Sequence, residues 1–283
     1  RWKRILEEDG GGALLPVYFS GVMSIIQRKC VEALFNRMNG SQLVKTLCSS
    51  AKSAAYESVV GKTGCLDPRE LGDSDLLLVW GSNVKATRIH TMPVIRRLRE
   101  AGKRVILIEA CGVSMAPYCD ETFLIRPGTD GALALAVMHV LEEEHLADQE
   151  FLQNRATGYE AFRETLGRYT PQWAEEITGI PSGRIRTLAR EFGAAKAPAI
   201  LLGSGPTRYG NGGMTTRLIL ILSAYTGAWG KAGGGYCGSN PVGKPFIDEN
   251  RVTRPDFRTQ EGRSININLL GQALECQERG KTI

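Results

Sequence analysis

The sequence predicts an α/β protein built on a doubly wound, mostly parallel sheet, and three observations lead there. Asp75 to Gly81, Arg104 to Glu109 and Pro198 to Gly203 are unbroken apolar runs of strand length, bounded by glycine or acids. A strand covered on one face alternates apolar and polar residues; an unbroken run belongs to a strand covered on both faces, as in a parallel sheet. Segments of helical spacing separate these runs, and such alternation is the pattern of βαβ units. A length of 283 residues also exceeds one ordinary domain, so a second is expected.

Taken in order, Ala13 to Phe19 is a weaker strand candidate, and Ala51 to Val60 is helix-like behind the N-capping residues Ser49 and Ser50. Thr91 is placed to cap a helix running to Ala101. Proline is tolerated in a first turn, where Pro93 falls, while Ile95 and Leu98 share one side and Arg96, Arg97 and Arg99 form a solvated face. Thr122 to Arg126 is a second weak strand. Ala132 to Leu141 is apolar nearly all round and should be deeply buried; Ile185 to Phe192 and Met214 to Tyr225 complete the helices. Gly230 to Pro255, with its glycine run, reads as an irregular excursion.

Composition excludes several classes of function. Lys and Arg exceed Asp and Glu by 35 − 30 = 5, too few and too dispersed for a nucleic-acid surface. Apolar runs such as Leu218 to Ala224 fall far short of the roughly 18 residues that a membrane span needs. Seven cysteines, an odd number without a CxxC pair, make neither a disulfide framework nor a zinc site. Cysteine usage favours a reducing compartment and hence the cytoplasm, with the periplasm left open. The chain starts at Arg1 without an export segment, and a piece of a longer protein is expected.

Candidate chemistry gathers where the strands end. In open parallel sheets, ligands sit at the carboxyl ends of strands, beside glycine turns and helix N-termini. Those ends here read Trp80-Gly81-Ser82-Asn83, Glu109-Ala110-Cys111, Arg126-Pro127-Gly128-Thr129-Asp130 and Gly203-Ser204-Gly205-Pro206-Thr207-Arg208. A strand-end acid can accept two hydrogen bonds from a ribose diol or a guanine edge; equally, Asp130 can cap the helix that follows it. Neither common nucleotide fingerprint is present: Gly203-x-Gly205 is followed by Arg208, and Gly205-x4-Gly210 by Asn211 rather than lysine. Cys48, just before a helix start, is placed to favour a thiolate that could act as nucleophile or soft-metal ligand; a buried structural thiol is the plainer alternative. Cys30, Cys65, Cys119, Cys237 and Cys276 read as core or incidental, and His139 as a satisfied core histidine.

Several stretches together resemble a known family. Leu78-Val-Trp-Gly-Ser-Asn83, Arg126-Pro-Gly-Thr-Asp-Gly-Ala-Leu-Ala-Leu135, Tyr169-Thr-Pro171, Ile177-Thr-Gly179, Gly205 to Gly213 and Thr226-Gly-Ala-Trp-Gly230 occur in the order seen in the middle of a molybdopterin oxidoreductase catalytic subunit. The group it resembles is that of dimethyl sulfoxide reductase, and the likeness runs from Arg1 to about Ala273. It implies a Rossmann-like fold with part of a second α/β domain: 1–45 and 241–283 as two parts of a split domain, and 46–240 as the dinucleotide-binding one. The implied cofactor is bis-molybdopterin guanine dinucleotide with molybdenum or tungsten, and Cys48 matches the metal's protein ligand. Gly81, Asn83, Glu109, Thr129 and Asp130 match positions lining one guanine dinucleotide, and Arg208 and Asn211 a loop near the pterin.

The implied activity is two-electron or oxygen-atom transfer on a small substrate. Electrons would pass to a partner subunit or protein, and an iron–sulfur cluster could lie in a preceding segment. No nucleic-acid partner and no direct membrane insertion are expected. Two departures narrow this. The family's usual Asp-Pro-Arg is replaced by Glu109-Ala110-Cys111, which removes an arginine; Ser49 follows Cys48, and Asn240 to Lys244 contains no arginine, so formate is not the expected substrate. Two other readings stand beside this one: a non-catalytic guanine-nucleotide-binding module without metal, and the central domain of a thiamine-diphosphate or NAD enzyme.

Overall fold

The structure, a computed structural model, describes residues 1–19, 24–61, 65–112, 114–238 and 246–275. Asn240 to Lys244 and Cys276 lie outside the described residues. Strands among the described residues are, in chain order, β1 (Gln42–Val44), β2 (Leu76–Trp80), β3 (Arg104–Glu109), β4 (Glu121–Leu124), β5 (Pro198–Leu202), β6 (Gly235–Cys237) and β7 (Ser264–Asn266). The chain divides into two compact units, residues 51–241 and residues 1–50 with 242–283.

The larger unit holds a parallel sheet in the order β4-β3-β2-β5-β6. Leu76 to Trp80 align with Arg104 to Ile108 on one side and with Pro198 to Leu202 on the other. Every residue of β2 and β5 is buried, which is why those runs carry no polar alternation. Successive side chains point to opposite faces of a strand. Leu76, Leu78, Trp80, Ile106, Ile108, Ile200 and Leu202 accordingly pack into one core with helices Asp130–Glu143, Ser182–Ala194 and Gly212–Tyr225. Leu77, Val79, Val105, Leu107, Ala199 and Leu201 meet Val94, Ile95 and Leu98 of helix Met92–Glu100 on the other face. This is the doubly wound arrangement expected from the sequence, and Arg96, Arg97 and Arg99 are exposed.

The smaller unit contains helices Trp2–Glu8, Ile25–Arg37 and Leu270–Glu275. Its sheet is the parallel pair β1 and β7, with Leu43 opposite Ile265.

Three local expectations are corrected. Ala13 to Phe19 is not a strand: Gly11–Ala13 forms a 3-10 turn and residues 14–19 are irregular. Pro16 has no N–H to give a ladder, and Leu14 accepts a single backbone bond there, from Ser41 at 2.9 Å. Thr91 precedes its helix but makes no side-chain cap bond. Within Gly230 to Pro255, Gly235–Cys237 is no irregular excursion but the edge strand β6, hydrogen-bonded to β5.

Candidate functional site

The sheet order turns back between β2 and β5, since β3 and β4 lie to one side of this pair and β6 to the other. Such a switch point opens a crevice at the carboxyl ends of the strands. Gly81 follows β2 and Gly203 follows β5, so both glycine turns lie there. Gly203 N–H donates to the Trp80 carbonyl at 2.8 Å, and a Cβ on Gly203 would stand 1.8 Å from the Gly81 oxygen. Gly81 has φ +55°, and a Cβ there would meet Pro206 Cδ at 2.3 Å. Backbone thus touches backbone, and only glycine permits it.

The other strand-end loops join this pair. Asn211 Nδ2 donates to the Gly128 carbonyl at 3.2 Å, and the Tyr209 ring lies against Gly128. Thr129 Oγ1 donates to the Arg126 carbonyl at 2.7 Å, closing that turn. Asn83 is exposed at the start of the short helix Val84–Thr87, and Arg208 is exposed in the turn Gly205–Arg208. Within the larger unit, the turns bearing Gly81, Thr129, Arg208 and Asn211 are therefore tied together.

The two acids behave differently. Asp130 is 5% exposed, and its Oδ1 accepts the Trp80 indole N–H at 2.8 Å. Burial pushes its carboxyl above the usual range, against the pull of that bond. The carboxylate is committed to the core, where it holds β2 to the start of helix Asp130–Glu143. Glu109 is half-buried and is also pushed up by burial; its Oε1 accepts from the Ala110 N–H at 2.9 Å. A carboxylate has further acceptor capacity, so Glu109 can still receive an incoming N–H or O–H.

Cys48 belongs to the smaller unit, where its thiol is exposed just ahead of helix Ser50–Val60. That helix continues into the larger unit, where Ala51 O comes within 4.0 Å of the position of a Cβ on Gly213. Among the described residues no three His, Cys, Asp or Glu side chains gather into a metal-holding group. His139 Nδ1 lies 2.9 Å from the Leu166 carbonyl, the satisfied role expected of it.

Sequence reasoning passed over Lys52. It is 4% exposed, and its Nζ donates to the Leu202 and Gly203 carbonyls, both at 3.2 Å. Burial brings its pKa down to about 8, and the charges of Arg88 and Arg208 add to that effect. Arg88 Nη2 lies 3.4 Å from the same Leu202 carbonyl. A lone lysine among Ala51, Ser53, Ala54 and Ala55 was the available signal, because a helix face that small has little reason to carry a cation. Cys237 lies in the core, one of the two roles expected of it, but its pairing with the half-buried Cys65 was not foreseen: their thiols are hydrogen-bonded to each other.

The chain is similar to several known proteins. The chain is 36% identical over 97% of its length to "Probable oxidoreductase YoaE" of Bacillus subtilis, and spans 40% of that relative. It is 33% identical over 82% of its length to "Probable dimethyl sulfoxide reductase chain YnfF" of Escherichia coli, spanning 32% of it. In fold it is similar to acetylene hydratase from Pelobacter acetylenicus, with a TM-score of 0.67 at 23% identity, covering 80% of this chain and 31% of that one. The molybdopterin oxidoreductase family model matches residues 13–275, nearly the whole chain, and the chain therefore belongs to that family.

Proposed function

We propose that this chain is the central part of the catalytic subunit of a molybdenum- or tungsten-dependent oxidoreductase. It holds molybdopterin guanine dinucleotide and serves two-electron or oxygen-atom transfer on a small substrate. The observation that carries this is the switch-point crevice, where glycine turns from neighbouring strands are locked backbone to backbone. The donor set fits such a cofactor. Arg88 and Arg208 are close enough to Lys52 to disfavour its charge, a repulsion that an anionic diphosphate would relieve. Cys48 offers an exposed thiol, and a thiolate suits a soft metal already held by sulfur.

When bound, the metal–dithiolene group supplies the redox chemistry. The protein's part is to hold and orient. Cys48 would ligate the metal; Gly81 lets the backbone approach the dinucleotide, and Asn83, Thr129 and Asn211 offer polar contacts around it. Glu109 would accept from a guanine or ribose donor. Asp130 acts by fixing the loop through Trp80. Electrons would leave through a partner subunit or protein, or through an iron–sulfur cluster elsewhere in the full subunit.

The test is metal and guanine-nucleotide content of the full-length protein, purified anaerobically, with and without Cys48→Ala. About one molybdenum or tungsten per chain, with turnover lost in the variant while nucleotide is retained, is the expected result. Nucleotide without metal in the unsubstituted protein would overturn the enzyme reading and leave a guanine-nucleotide-binding module.

A further inference from the structure

Cys65 and Cys237 are far apart in sequence but side by side in the larger unit. The Leu66 N–H donates to the Tyr236 carbonyl at 2.8 Å, so backbone geometry holds the residues preceding β2 alongside the end of β6. This sets the two thiols against each other, hydrogen-bonded. Their surroundings are unequal. Cys65 is half-buried and borders a cavity of about 420 Å³ shared with Tyr56, Trp229 and Tyr236. Cys237 is 1% exposed, and reaches a different cavity of about 420 Å³, lined by Arg88, His90 and Gly238.

We propose that Cys65 and Cys237 form a reversible dithiol–disulfide pair, with Cys65 as the thiol that first attacks a peroxide and Cys237 as the resolving thiol. The Cys65 thiolate attacks one peroxide oxygen; the O–O bond breaks, an S–O bond forms and hydroxide leaves. Cys237 sulfur then attacks the Cys65 sulfenic acid; the S–O bond breaks, the S–S bond forms, and water carries off the Cys237 proton. Both thiols are oxidised by one electron each, and one peroxide is reduced by two electrons.

Electrostatics assign the same roles. The hydrogen bond from Cys237, with the Gly238 backbone N–H and the charges of Arg88 and Lys52, outweighs burial and brings Cys65 down to about 6. The same bond and burial push Cys237 up. A low-pKa, accessible thiol beside a second thiol is the arrangement of a peroxide-sensitive pair. Closure would remove the thiolate that helps keep Lys52 charged, so the pair's oxidation state would be felt at the carbonyls ending β5.

The test uses the full-length protein and needs no metal or turnover, so it stands apart from the functional proposal. Protein treated with hydrogen peroxide is alkylated, digested without reductant and mapped by mass. The expected product is a peptide joining Cys65 to Cys237, lighter by a pair of hydrogens, restored by dithiothreitol and formed before the exposed Cys30 and Cys111 are consumed. Cys237→Ser should leave a Cys65 sulfenic acid that dimedone captures. Cys65 and Cys237 both remaining alkylatable in the unsubstituted protein, at peroxide that consumes Cys30 and Cys111, would overturn the proposal. So would a Cys65 bridge to any other cysteine.

Discussion

In the larger unit, β2 and β5 are buried along their whole length and apolar side chains fill both faces of the sheet. In the smaller unit the buried hydrophobics among the described residues are Leu14, Phe35 and Ile265, and polar side chains take over. Arg258 donates to the Gly40 carbonyl at 2.8 Å and to Asn36 Oδ1 at 3.2 Å; Asn36 donates to the Thr253 carbonyl at 2.8 Å. Asn39 accepts from the Thr259 N–H at 2.9 Å, and Arg263 donates to Ser41 at 3.2 Å. One unit is closed by non-directional apolar burial. The other is closed by directional bonds between chain segments more than 200 residues apart, each worth about 1 kcal/mol net but more when a charged donor is involved. The lesson is that a short segment can be fixed in place without a large core, provided its backbone carbonyls find specific donors.

Substitutions should separate the two modes. Leu107→Ala, at a fully buried position in β3, should cost on the order of 2–5 kcal/mol through lost burial and a cavity, read by denaturant unfolding. An equal loss from Ile265→Ala would show that the smaller unit relies on apolar packing after all. Gly203→Ala forces a methyl onto the Gly81 carbonyl and should cost about 1–3 kcal/mol. Hydrogen exchange should rise first at the loops after β2 and β5, and unchanged exchange there would break the switch-point geometry. Arg258→Ala should cost about 1–3 kcal/mol, with the added exchange confined to residues of the smaller unit.

Acid gives the smallest but sharpest contrast. Burial pushes Glu32 up, yet hydrogen bonding from Tyr18 and the ammonium groups of Lys29 and Lys45 outweigh it, and the net direction is down. A carboxyl lowered on folding contributes stability above its unfolded pKa and loses it as pH falls through the folded one. Asp130, raised on folding, contributes with the opposite sign: its favourable share is fully present below the unfolded pKa and is lost as pH rises through the folded value. Between about pH 6 and 3, amides around Tyr18 and Glu32 should lose protection in a way that Glu32→Gln suppresses. Asp130→Asn should suppress an opposing gain near Trp80. A shared sign at both places would mean that the local partners do not govern the response.

The nature of the elements was settled locally. Unbroken apolar runs specified strands buried on two faces, and the all-round apolar run Ala132 to Leu141 specified a deeply packed helix, because solvent exclusion leaves its mark on each residue in turn. The strand-end glycines also marked the turns that end the strands. Family and cofactor class came from the order of short motifs rather than from any single residue. Tertiary structure alone decided the rest. Three-residue strands such as β1, β6 and β7 are too short to show a period, and they exist because a distant partner supplies the ladder. Sequence could not show that Asp130 is buried with its Oδ1 accepting from the Trp80 indole, 50 positions away. Lys52 on the ends of β5 and Cys65 against Cys237 are likewise consequences of chain crossing, since proximity between remote residues is created only when the sheet closes and the backbone brings them together.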